Sequence, residues 1–148
     1  MFYLLHSVYP YISCPSSWID LIKLIEGCRH ELRVWKLNWE RPPPNTFQLN
    51  TDGSALSNPG KIGGGGILRD SQGDMIYAHT NSLGTGTNNL AEVQAAAHGL
   101  YWCTQHDTKE IILEVDSEQL TKWISHSSQP PWKLQEQIKD IHRLIKAT

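Results

Sequence analysis

The sequence predicts an α/β domain in which helices pack on a mixed sheet. Three observations lead there. Between residues 46 and 80, three short runs suited to strands are separated by turn residues. From about Asn89 the apolar spacing becomes helical, and a short apolar run, Ile111 to Val115, then returns to strand character before two more helical stretches. The order is three strands, helix, strand, helix, helix. A hairpin ribbon followed by a βα crossover gives both antiparallel and parallel neighbours, hence a mixed sheet.

The elements follow in order. Ser17 can cap a helix with the stripe Trp18, Leu21, Ile22, Ile25, Cys28, Leu32 and Trp35. Trp39-Glu40-Arg41-Pro42-Pro43-Pro44 then acts as a stiff linker, because proline breaks regular structure. The expected division is an N-terminal extension, residues 1–38, with one amphipathic helix, and a domain at 39–148. From Thr46 to Asp52, Phe47, Leu49 and Thr51 face one way while Gln48, Asn50 and Asp52 face the other. Further strands are expected at Gly63 to Arg69 and Asp74 to Thr80, with Ser71-Gln72-Gly73-Asp74 turning between them. The run Gly63 to Gly66 lacks the Gly-Lys-Ser/Thr of a phosphate loop, so it reads as a strand crossed closely by another backbone. A helix from Asn89 to Gln105 turns Leu90, Val93, Ala97 and Leu100 inward. Ile111 to Val115 is the fourth strand. Helices at Ser117 to Ser125 and Pro131 to Lys146 complete the set, the last with the stripe Leu134, Ile138, Ile141 and Ile145.

At 148 residues and 39% apolar content the chain has room for one domain with a real core. Its net charge is −2, from 13 Lys and Arg against 15 Asp and Glu. A whole-chain basic footprint for nucleic acid is therefore excluded, and such a partner must be held locally and weakly. Three cysteines without framework spacing argue for a reducing compartment. Cys14, Cys28, His30 and His6 lack the close pair that zinc ligands usually show. The start, Met1 to Leu5, is too short for a secretory apolar region, and no run reaches the ~20 apolar residues of a membrane span. An intracellular monomer, in nucleus or cytoplasm, is expected.

Three strings carry chemistry: Thr51-Asp52-Gly53-Ser54, Asn88-Asn89-Leu90-Ala91-Glu92 and Leu113-Glu114-Val115-Asp116-Ser117. Each acid has an ordinary reading. Asp52-Gly53 suits a turn, Asn89 with Glu92 a capping pair, and Asp116 with Gln119 the same device on the next helix. Together they read otherwise. Two strand-end Asp residues and a first-turn Glu can meet at one edge of a sheet, and three like charges there call for a cation. Hard oxygen ligands select Mg²⁺ or Mn²⁺, and two such ions can clamp the attacking and leaving oxygens at phosphorus.

Thr51-Asp52-Gly53-Ser54 followed by Asn58-Pro59-Gly60 and by Gly64 to Arg69, then Thr87-Asn88-Asn89-x-x-Glu92, then Val115-Asp116-Ser117, resembles type-1 ribonuclease H over about 39–148. Within it, Trp39 to Gly73 is most similar to the ribonuclease-H-like domains left in plant genomes by non-LTR retroelements. The resemblance implies a ribonuclease-H-like mixed sheet, truncated here before the fifth strand and C-terminal helix. It implies cleavage of the RNA strand of RNA–DNA hybrids with two Mg²⁺ (or Mn²⁺) ions. Asp52 would bridge both ions, with Glu92, Asp116 and the Gly53 carbonyl completing the one that stabilises the leaving group. Ser54, Asn58, Asn88 and Asn89 would touch the hybrid. The family's fourth Asp falls beyond Thr148, and Asp140, mid-helix, is a poor substitute. The alternative is an inactive remnant that binds nucleic acid or protein.

Overall fold

The computed structural model describes residues 17–27 and 39–148. The chain divides into two compact units, 1–38 and 39–148. In the first, helix α1 spans Trp18–Gly27; Leu21 of the expected stripe is buried, while Trp18 and Ile22 are exposed. Cys28, Leu32 and Trp35 of that stripe lie outside the described residues, as do Cys14, His6 and His30.

The second unit holds β1 (Phe47–Ala55), β2 (Gly60–Arg69), β3 (Met75–Gly86), α2 (Asn88–Gln105), β4 (Ile111–Val115), α3 (Glu118–Ile124) and α4 (Gln135–Ala147). Its sheet has the order β3-β2-β1-β4. β2 runs antiparallel to β1 and to β3, and β4 lies parallel to β1. The mixed sheet is as the sequence implied, but three strands are longer. β1 and β2 extend toward each other beyond Asp52 because Gly53, Ser54 and Ala55 pair with Gly64, Gly63 and Ile62. β3 runs on past Thr80 because Asn81 to Gly86 keep pairing with β2 across a register shift.

The core joins Leu49 and Leu68 of the sheet to Val93, Ala96, Leu100 and Cys103 of α2, and then to Leu120, Trp123, Ile138 and Ile141. Small residues let α2 come close to the sheet. A Cβ on Gly64 would stand 2.7 Å from the Ala95 Cβ, so the glycine run is the close crossing its composition implied. The last helix differs at its start, where Trp132–Leu134 forms a 3₁₀ turn after Pro131. Among the described residues, no helix is long and apolar enough to cross a membrane.

Candidate metal centre

In the β1–β4 register Thr51 stands opposite Val115. Asp52 and Asp116 are the next residues, so both carboxylates leave neighbouring parallel strands on one face. Asp116 does follow a strand end. Asp52 does not, since β1 continues to Ala55, and this also removes the Asp-Gly turn reading.

Gly53 brings in the third acid. A Cβ at this position would lie 2.3 Å from the backbone of Ala91 and of Glu92, so only glycine lets α2 approach here. Glu92 thereby reaches β1, and its Oε2 accepts a hydrogen bond from the Gly53 N–H at 3.2 Å. One carboxylate oxygen from each of Asp52, Glu92 and Asp116 lies within 4.8 Å of the others. Glu92 is buried, and the two aspartates are exposed.

The capping readings give way at the same time. Thr87 caps α2, its Oγ1 accepting from Leu90 N–H at 3.3 Å. Ser117 caps α3, its Oγ accepting from Leu120 N–H at 3.2 Å. With both first turns already satisfied, Glu92 and Asp116 are free of capping duty.

The cluster's electrostatics favour a cation. Burial pushes the Glu92 carboxyl up to about 7, the charges of Asp116 and Asp52 push the same way, and the Gly53 N–H opposes them. An all-oxygen donor set under mutual repulsion fits a hard divalent ion, which would be held by Asp52, Glu92 and Asp116. Asp52 and Asp116 open on a groove of about 680 Å³, lined among others by Asn50 and Glu114.

The other candidate residues sit at the end of β1, in the β1–β2 loop and at the start of α2. Ser54 is exposed at the end of β1. Asn58 Oδ1 accepts from Asn88 N–H at 3.1 Å, and Asn88 Oδ1 accepts from Ala55 N–H at 3.0 Å, so the pair ties the β1–β2 loop to the start of α2. Asn89 is half-buried in the first turn. Asp140 stands apart from the trio, exposed and paired with Arg143. His142 is a packing residue: its Nε2 contacts Ile124 O at 2.9 Å and its ring stacks on His126. Trp132 does not pack beneath its loop: it is 77% exposed, with Lys133 over its ring.

Sequence reasoning missed Asn50, Glu114 and Arg69. Asn50 Nδ2 donates to Glu114 Oε2 at 2.5 Å, and Arg69 Nη1 donates to Asn50 Oδ1 at 3.1 Å. The available signal was alternation, because Asn50 and Glu114 each precede a candidate ligand by two residues on the same face.

Residues 50–148 match the family described as reverse transcriptase-like, a ribonuclease H-like domain. The chain belongs to this ribonuclease H-like family. An Arabidopsis thaliana protein named for ribonuclease H is 33% identical over 82 residues, which are 55% of this chain and 13% of that protein. The ribonuclease H of Sodalis glossinidius is 38% identical over 87 residues, 56% of this chain and 51% of the relative. The chain thus spans about half the length of that bacterial relative. Among solved structures, RNase H1 of Halobacterium salinarum NRC-1 shares the fold at TM-score 0.66 and 22% identity, over 69% of this chain and 78% of that one. LC11-RNase H1, isolated from compost, aligns at TM-score 0.62 and 25% identity, over 68% and 75%; it has also been solved in complex with an RNA/DNA hybrid.

Proposed function

We propose that this ribonuclease H-like chain is a divalent-cation-dependent endonuclease acting on the RNA strand of RNA–DNA hybrids. The observation that carries the reading is the meeting of Asp52, Glu92 and Asp116 within 4.8 Å, with both aspartates on an open groove. The ribonuclease H relatives and the hybrid bound by LC11-RNase H1 support the substrate class.

Two Mg²⁺ or Mn²⁺ ions would supply Lewis-acid charge at the attacking water and the leaving oxygen. In this reading Asp52, Glu92 and Asp116, with the Gly53 carbonyl, would hold these ions. The buried Glu92 keeps its place through the Gly53 N–H, so the site is shaped before any ion arrives. Asn58 and Asn88 have their Oδ1 atoms engaged, which leaves each amide N–H₂ to donate. These donors, with Ser54 and Asn89, suit the 2′-hydroxyls and base acceptors of an A-like minor groove, and the 2′-hydroxyl is what separates RNA from DNA. The Arabidopsis relative supports a plant lineage, and the match to the reverse transcriptase-like family supports a retroelement origin. An intracellular monomer that grips its hybrid weakly belongs to the same reading, since the net charge of −2 adds no general attraction to phosphate.

The test is Mn²⁺ titration alongside cleavage of a labelled hybrid, for wild type and Asp52→Asn. Cation-dependent cutting of the RNA strand is expected, with at least a hundredfold loss in the variant. Mn²⁺ binding without cutting would instead favour a non-catalytic binding module. No Mn²⁺ binding at all would remove both.

A further inference from the structure

We propose that Glu114 is a fourth carboxylate of this cation site, held in place by Asn50 and Arg69 as positioning residues. The inference rests on the reading of Asp52, Glu92 and Asp116 as cation ligands and adds a residue to it.

Glu114 stands opposite Asn50 in the parallel β1–β4 pair, and Asp52 and Asp116 each lie two residues further along. Because strand side chains alternate, all four belong to one face of the sheet. All four also line the groove. On an exposed face a glutamate normally samples several rotamers, but this one is tethered. Asn50 spends both ends of its amide: Nδ2 donates to Glu114 Oε2 at 2.5 Å, and Oδ1 accepts from Arg69 at 3.1 Å. Arg69 is itself fixed, its guanidinium 5.4 Å from the centre of the Trp39 ring. A cation at the outer end orients the amide so that its donor end faces the carboxylate. The chain Trp39–Arg69–Asn50–Glu114 therefore crosses β2, β1 and β4 and ends in the groove.

Reach decides how Glu114 acts. Two strand residues rise about 6.6 Å. A cation–oxygen bond of roughly 2.1 Å followed by a water hydrogen bond of about 2.8 Å spans about 5 Å, and the extra methylene of glutamate covers the remainder. Glu114 would act on the ion through bound water and leave direct ligation to the trio. Its charge adds to the pull on the cation, and it accepts a hydrogen bond from the ion's hydration shell.

Mn²⁺ affinity is measured on the full chain without substrate, by calorimetry and by electron paramagnetic resonance of the ion, for wild type, Glu114→Gln, Asn50→Ala and Asp52→Asn. Glu114→Gln is expected to weaken binding about five- to tenfold and to change the resonance linewidth that reports on bound water. Asn50→Ala should fall between that variant and wild type. Asp52→Asn should lose binding altogether. All three replaced side chains are solvent-exposed or half-buried, so thermal unfolding should show each variant folded. If Glu114→Gln and Asn50→Ala bind Mn²⁺ as wild type does while Asp52→Asn does not, the role of Glu114 is overturned and the trio stands. If wild type binds no Mn²⁺, the trio and Glu114 fall together.

Discussion

Beneath α2 the sheet presents Leu49 and Leu68, both fully buried, with Gly53 and Gly64 thinned so that the helix can press against them. On its opposite face Ile76, Ala78, Thr80 and Ser82 of β3 are all exposed, and Asn50, Asp52 and Glu114 carry the groove. The first face is set by packing, where one added methyl has nowhere to go. The second is set by charge and alternation, and it presents the Asp52 and Glu114 carboxylates to the groove. Glu92 links the two: it rises from the packed helix, and its carboxylate joins acids that belong to the other face. The lesson is that the reactive face is precise only because the packed face is.

The largest effect should come from Gly53→Ala. Its Cβ would sit 2.3 Å from helix backbone, which must retreat, so a loss of about 3 kcal/mol or more is expected in urea unfolding. The variant should also lose cation affinity, because Glu92 moves away with α2. Retained stability would show that the close approach is not needed.

Next is the pH dependence of Glu92. Its carboxyl titrates at about 7 in the folded chain against an ordinary 4.5, so between those values the folded state holds a proton that the unfolded state has released. Stability should therefore fall as pH rises from about 4.5 through 7, by on the order of 2 kcal/mol after allowing for solvent screening at the groove. Glu92→Gln should flatten that slope, and Mg²⁺ should offset it in wild type. A slope unchanged in the variant would place the titrating group elsewhere. His79, on the packed face, should act oppositely: burial and the neighbouring His98 lower its pKa, so its contribution is lost as pH falls below about 6.5.

Smaller still, Thr87→Ala and Ser117→Ala should each cost about 1 kcal/mol by removing a helix cap. Because those caps spare the acids, neither change should abolish Mn²⁺ binding. The smallest effect is expected for Ile76→Ala. It is 48% exposed on the open face, so its replacement should shift stability by less than about 0.5 kcal/mol. A core-sized loss there would mean the face is covered.

Much of this was legible beforehand. The alternation of Phe47 to Asp52 and most of the helical stripe of α4 marked which side chains turn inward, since periods of two and 3.6 are properties of the chain alone; Ile138 and Ile141 are buried, but Ile145, near the helix end, is exposed. The acid strings could be read, and so could the excess of glycine in β2. Strand lengths could not, because the added residues of β1 and β3 are strand only by virtue of the partner beside them. Nor could the capping ambiguity be resolved: Thr87 and Asn89, like Asp116 and Ser117, are all competent caps, and a shift of only a residue or two in helix start chooses between them.

The sequence by itself determined the order of elements, the faces of each strand and the identity of the acidic residues, because those depend on local periodicity and side-chain chemistry. Only the tertiary structure decided that Asp52, Glu92 and Asp116 share a few ångströms and that Arg69 and Asn50 steady Glu114 beside them. Such meetings join residues up to 64 positions apart, and which of them occur is set by the parallel pairing of β1 with β4 and by the missing side chain at Gly53.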